Sequence, residues 1–238
     1  MRLNPWEEVM LRAKWTGDLA YATPTLSDLI DALGGIDPDR MLMVPAPGTA
    51  TVADVERYEC ELIEGTLVRK ATDFRGSVMT AHLICAVGGF ARADELGVCV
   101  GPTCFWEVLP GVARAPCVAF ISWDRVPGRK VPKEPVPRLA PDLAVDVIYR
   151  GNTPGELARK RDEFFGGGTE TIWSVDLDER SVTVYSRAGS VKVLTATDTL
   201  DGGDVLPGFS LPLADYFADL DRRPFALPGE ESPDTTGG

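Results

Sequence analysis

The six residues Leu143-Ala144-Val145-Asp146-Val147-Ile148 constrain the fold more than any other stretch of the chain. Both alternating sets are apolar apart from one acid. A strand of that kind has to be covered on both faces. Helical signals begin soon after. Thr153-Pro154-Gly155-Glu156 is a capping box with proline at the first helical position, so a helix is expected from Pro154 to Phe165. A second strand is expected over Thr171–Val175. Strand, helix and strand in this order make a crossover unit with its helix against the sheet.

Hairpin and helix signals surround this unit. Glu64-Gly65 separates Cys60–Ile63 from Thr66–Lys70. Leu109-Pro110-Gly111 separates Val98–Val108 from Arg114–Ser122, and Ala188-Gly189 separates Ser181–Ser186 from Ser190–Thr195. Thr25–Leu33 reads as a short helix stopped by Gly34-Gly35; Thr51 reads as the cap of another, with Asp54 at its third position. Residues 77–96 are apolar on nearly every face, which predicts a buried helix beginning at a Ser77 cap. Together these give an α/β (α+β) fold, a mixed β-sheet flanked by helices, with β-hairpins.

The 238 residues are read as one domain over 25–220, preceded by an N-terminal arm (1–24) and followed by a disordered acidic tail (221–238). No apolar run is seen to reach the roughly 18 residues of a membrane span. The N-terminus carries acids and tryptophans where a signal peptide has a basic stretch and an apolar core. Five cysteines, none in a CxxC pair, read as reduced and mostly buried thiols, which sets a cytoplasmic expectation. The net charge of −12 speaks against a protein that coats nucleic acid with Lys and Arg contacts. It leaves room for an enzyme that meets nucleic acid through one local basic patch and a divalent cation.

Four features bear on chemistry. Asp146 is an acid in an apolar strand, costly to bury unless it is paired; it either faces a ligand crevice or caps an exposed strand end. Lys160 lies three residues after Leu157 and four before Phe164, on the inward stripe of its helix. Arg161 bears a similar relation to Leu157 and Phe165, so the pattern does not say which base turns in. Taken alone it favours both snorkelling outward. Glu61 shares a strand face with Ile63 and reads first as a solvated edge carboxylate. Cys117, in Arg114-Ala115-Pro116-Cys117-Val118, reads as a buried core cysteine.

In order and spacing these segments resemble the Uma-two-type restriction-endonuclease-like family, over about residues 25–220. A family Tyr-Glu-Leu-Ile-Asp-Gly hairpin is matched by Cys60-Glu61-Leu62-Ile63-Glu64-Gly65, and Arg-x-Pro-Asp-Val by Arg114-Ala115-Pro116-Cys117-Val118. Pro-Asp-Leu-x-Val-Glu-Val-Leu-Ser-Pro is matched by residues Pro141 to Arg150, and a helical lysine four before an aromatic by Lys160 and Phe164. Trp173-Ser174-Val175-Asp176 and Leu206-Pro207-Gly208-Phe209 match the closing motifs. The resemblance implies a PD-(D/E)xK nuclease fold and hydrolysis of nucleic acid, DNA first, with Mg²⁺ or Mn²⁺ polarising the phosphate and activating water. It also implies Asp146, Lys160 and Glu61 as catalytic residues and a cation held at the positions of Cys117 and Asp146. Glu61 would be an outer ligand, and a homodimer is an open possibility for such folds.

Three departures surround that site. Cys117 stands where the family has aspartate, and a thiol is a poor ligand for a hard cation. Asp146 replaces glutamate and is one methylene shorter. Tyr149-Arg150 replaces Ser-Pro. Asp142 lies four residues from Asp146, about 13 Å along a strand, too far to substitute for the lost aspartate. The expected function is therefore a metal-dependent endonuclease impaired at Cys117. The alternative is an inactive nuclease fold that binds nucleic acid or protein. Thiol chemistry at Cys117 ranks below both, because the chain's one histidine, His82, falls in the helix read as core. The active centre requires the thiol, the acid and the amine to meet in one pocket.

Overall fold

The computed structural model describes residues 25–221. The arm over 1–24 and the tail beyond 221 lie outside the described residues. The elements are α1 (Leu26–Ala32), α2 (Val52–Tyr58), β1 (Glu61–Ile63), β2 (Thr66–Val68), α3 (Phe74–Ala93), β3 (Gly97–Val100), β4 (Trp106–Leu109), β5 (Val112–Arg114) and β6 (Val118–Ser122). After a long loop come β7 (Leu143–Val147), α4 (Pro154–Gly167), β8 (Thr171–Asp176), β9 (Ser181–Ser186), β10 (Val191–Thr195), β11 (Thr199–Asp201), β12 (Ser210–Pro212) and α5 (Leu213–Ala218). The fold is mixed α/β, with helices flanking several sheets in place of the single expected sheet. A six-stranded sheet runs β10-β9-β8-β7-β6-β3, a four-stranded one β2-β1-β5-β4, and β11 pairs with β12.

The crossover unit stands at the centre. β7 and β8 are parallel, with Asp146 beside Ser174, and α4 connects them. All five β7 residues are buried, as the apolar run requires. Leu143, Val145 and Val147 pack with Met79, Leu83 and Val87 of α3 and with Trp173 and Phe217. Ala144 packs on the other face with Phe164 of α4, Ile172 and Trp106. Asp146 shares Ala144's alternation and so turns toward α4.

Three sequence expectations change. The strands around Leu109-Pro110-Gly111 do not form one hairpin. β4 pairs with β5 in the small sheet, while β3 pairs with β6 in the large one. Pro102 and Pro116 fall in the gaps; proline has no N–H to continue a ladder, so each arm breaks and its halves join different sheets. Second, α3 starts three residues before Ser77. Asp73 caps it, its side chain accepting from the Gly76 N–H at 2.6 Å. Its inward stripe is Gly76, Met79, Leu83, Val87 and Ala91, whereas Cys85 is exposed. Third, this 20-residue helix has a window of mean hydropathy 1.2 and is long and apolar enough to cross a membrane by length and composition, contrary to the expectation that no run is. In the fold it lies against β3, β6 and β7. Of the five thiols only Cys60 and Cys117 are buried; Cys99 and Cys104 are half-buried.

Candidate active site

Lys160 turns inward. The Thr153 cap accepts from the Glu156 N–H at 3.1 Å and Pro154 occupies the first position, which fixes the rotational phase of α4. In that phase Glu156, Lys160, Glu163 and Phe164 are buried, so the inward stripe is mostly charged. Arg161 instead turns outward and lies 4.5 Å over the Tyr185 ring. The expectation that both bases snorkel outward fails for Lys160, because three acceptors wait for its ammonium. Its Nζ donates to Asp146 Oδ1 at 2.8 Å and to the Ala115 carbonyl at 3.1 Å, and pairs with Glu61 Oε1 at 3.1 Å. Burial by itself would lower the lysine pKa; Asp146 and Glu61 outweigh it and raise the pKa above its usual value.

Glu61 is not the solvated edge carboxylate that its strand position suggested; it is 1% exposed. β1 is an inner strand, held between β2 and β5. Glu61 Oε1 also accepts from the Ala115 N–H at 2.9 Å, and Oε2 from Arg114 at 3.0 Å. Burial would raise its pKa, but Lys160, Arg114 and Lys70 overcome that and hold it at about 2. Arg114, fully buried, reaches Glu163 Oε2 with Nε at 2.5 Å. Arg159 joins Glu163 at 2.8 Å to Glu64 at 2.6 Å. Charges of alternating sign therefore run from Asp146 through Lys160, Glu61, Arg114, Glu163 and Arg159 to Glu64. On the other side, Arg40 holds Glu156 with two bonds of 2.8 and 2.6 Å.

Cys117 lies one residue before β6. Its N–H donates to the Val145 carbonyl at 2.8 Å, and its sulfur accepts from the Val147 N–H at 3.5 Å. The Tyr149 hydroxyl sits 3.7 Å from the sulfur, and burial, with the sulfur beside it, pushes the tyrosine pKa up. Cys117, Asp146, Lys160 and Glu61 all line one cleft, together with Lys70 and Tyr149. About 20 Å³ of it is open to a water-sized sphere, space for roughly one water or a bare ion. The expected convergence of thiol, acid and amine is present. Asp142 is elsewhere, held by the Ser122 N–H at 2.7 Å and Arg125 at 2.8 Å. His82 is half-exposed on α3, 2.9 Å from Asp219, and does not line the cleft.

The donor set does not fit a hard divalent cation. Both Glu61 oxygens are committed to N–H donors, Lys160 holds Asp146 through Oδ1, and sulfur stands where another oxygen would be needed. Among the described residues no three His, Cys, Asp or Glu side chains gather as a metal site. Sequence reasoning missed Arg114, Glu163, Arg159, Arg40 and Glu156. One signal was available: Glu156, Lys160 and Glu163 follow the i, i+4, i+7 spacing of a single helix face.

A mixed sheet crossed by α4, with an acid and a lysine paired near the end of its inner strand β7, has the fold of a nuclease. A solved structure described as a putative nuclease belonging to DUF820 from Anabaena variabilis matches it with a TM-score of 0.60 and 16% identity, covering 67% of this chain and 90% of that one. At that identity the likeness establishes the fold. The profile of the Uma2 family, described as "Putative restriction endonuclease", matches residues 51–214, and this chain belongs to that family. No curated protein matches the sequence.

Proposed function

We propose that this protein descends from metal-dependent DNA endonucleases, still meets nucleic acid at the cleft, and is impaired in phosphodiester hydrolysis at Cys117. One observation carries the reading: Asp146 and Lys160 keep an acid–lysine pair in a cleft of ionic size, and the third member of the set is a sulfur. Restriction endonucleases generally use divalent metal ions. By the family resemblance, carboxylates at positions 117 and 146 would share Mg²⁺ or Mn²⁺, with Glu61 behind them. Here Asp146 alone offers a carboxylate not saturated by cations. Lys160, kept charged by its acids, is suited to offsetting negative charge on a phosphate. The half-buried and buried thiols suit a reducing, cytoplasmic setting. A purely binding role is the second reading, favoured by the commitment of Glu61 to Arg114 and Lys160.

The test is Cys117→Asp, assayed by calorimetry with Mg²⁺ or Mn²⁺ and by nicking of supercoiled plasmid. The expected result is metal binding and nicking that exceed wild type at least about tenfold, a factor equal to about 1.4 kcal/mol, and that Asp146→Asn removes. Wild-type nicking as fast as the variant's would overturn the impairment. A folded, metal-loaded Cys117→Asp that stays inert would overturn the placement of the site.

A further inference from the structure

We infer that hydrogen peroxide oxidises Cys117 to a sulfinate, and that this sulfinate gives the cleft the oxygen anion that the family carries there as aspartate. The inference rests on the reading of Cys117 above and goes past it: the impairment depends on the oxidation state of one sulfur. It starts from the misfit between a thiol and a hard cation. In a sulfinate the sulfur takes the place of the aspartate Cγ, one bond beyond Cβ, and bears two oxygens that share one negative charge. Oxidation therefore gives the Cys117 side chain the connectivity and charge of the missing ligand.

The surroundings of the sulfur favour that product. The Val147 N–H donates to it at 3.5 Å and the Tyr149 hydroxyl lies at 3.7 Å, so two groups able to donate already face the atom that gains the oxygens. Two ammonium groups flank its backbone. Lys70 Nζ donates to the Pro116 carbonyl at 3.2 Å and Lys160 Nζ to the Ala115 carbonyl at 3.1 Å, on the two residues before Cys117. Both lysines line the cleft with the sulfur. Charge on the sulfur is among the causes that raise the Lys160 pKa, so the ammonium and a sulfur-borne anion stabilise each other.

Size selects the reagent and the end point. Cys117 is 1% exposed, and the cleft it lines has about 20 Å³ open to a water-sized sphere. Hydrogen peroxide has the girth of water and enters; glutathione and alkylating reagents do not. The sulfur attacks one peroxide oxygen, the O–O bond breaks and water leaves: Cys–SH + H₂O₂ → Cys–SOH + H₂O. A sulfenic acid is commonly captured by a second thiol. Cys117 is the one cysteine among the residues lining the cleft, so a second peroxide reaches it instead: Cys–SOH + H₂O₂ → Cys–SO₂⁻ + H⁺ + H₂O. Each step takes two electrons from sulfur and reduces one peroxide to water. The other thiols lack this setting. Burial pushes Cys60, Cys99 and Cys104 up, Cys99 to about 11, which keeps them protonated and slow to react, and Cys85 is exposed.

The experiment uses the full, folded chain. Accessible thiols are blocked with N-ethylmaleimide, hydrogen peroxide is added and then removed by desalting, and the tryptic peptide from Ala115 to Arg125, in which Cys117 is the only cysteine, is read by mass spectrometry. Cys117 is expected to carry no maleimide and to gain two oxygen atoms, located by fragment ions. Calorimetry with Mn²⁺ should then show binding at least about tenfold tighter than in the untreated chain, and Cys117→Ser treated in the same way should show no gain. Maleimide on Cys117, or a Cys117 thiol that survives peroxide able to oxidise free cysteine in the same solution, overturns the inference. So does an equal gain in Cys117→Ser. If the sulfinate forms without Mn²⁺ binding while Cys117→Asp binds the ion, the sulfinate's role as ligand is overturned and the site stands. If Cys117→Asp also fails to bind, the placement of the site falls with it.

Discussion

On the two sides of the six-stranded sheet the helices themselves bring opposite materials. On one, α3 lays down Met79, Leu83, Val87 and Ala91 against Val145, Val147 and Trp173, with no charge at the contact. On the other, α4 buries Glu156, Lys160 and Glu163 beside a single large apolar residue, Phe164. The first face draws its stability from removing apolar area from water. The second takes ions out of water and recovers that cost only through close partners, so it is weak evidence for stability and strong evidence for a retained arrangement. The two helices have the same task in the topology, covering a sheet, and the difference marks where the cleft lies.

Breaking one partner on the charged face should give the largest effect. Lys160→Ala strands Asp146 and Glu61 without their shared cation, and a destabilisation of about 3–5 kcal/mol is expected in urea denaturation. Replacing Lys160 and Asp146 together by apolar residues of similar volume should cost less than Lys160→Ala alone. If the double variant is the less stable of the two, the charged face contributes net stability and the contrast fails.

On the apolar face Leu83→Ala should cost about 2–5 kcal/mol by lost transfer energy and the cavity it leaves. It should do so equally at neutral and acid pH, because the apolar cluster around it contains no carboxylate. Acid should separate the faces. Glu61 has its pKa lowered from 4.5 to about 2 in the fold, so its contribution is present above pH 4.5 and is lost as pH falls toward 2. That contribution is on the order of 3 kcal/mol. Denaturation midpoints measured from pH 6 to pH 2 should fall for wild type and for Leu83→Ala alike, and fall less for Glu61→Gln. A Glu61→Gln profile that runs parallel to wild type would assign the acid sensitivity to other carboxylates. At the alkaline end the sign reverses: Lys160, with its pKa raised, contributes stability fully below its unfolded pKa and loses it only as pH climbs through the folded value.

Much of the scaffold was legible in the sequence, and the reasons are local. The capping boxes at Thr25, Thr51 and Thr153 satisfy orphan N–H groups within three residues, so they form as the sequence spells them. The hairpin at Glu64-Gly65 also forms where expected, with both turn residues at positive φ. Where the reading failed, the deciding partner was distant. Glu61 looked like a surface acid because nothing near it in sequence says that Arg114 will meet it, 53 residues on. The α3 start was misplaced because Ser77 and Asp73 are both good caps, and only the packing of Gly76 under Tyr149 favours the earlier one. The chain about Leu109-Pro110-Gly111 reads as one hairpin because prolines show where a ladder stops, not which sheet each half will enter.

By itself the sequence determined the crossover unit, the start of α4, the order of the family motifs and the sulfur at position 117. Each depends on residues a few positions apart and on backbone hydrogen bonds closed locally. Only the tertiary structure decided that Lys160 and not Arg161 turns inward, that Glu61 is consumed by cations, and that Cys117 opens on the same cleft as Asp146. The fate of a charge depends on the partners it finds on burial, and those partners came from β1, β5 and α4, separated in the chain and brought together by the sheets.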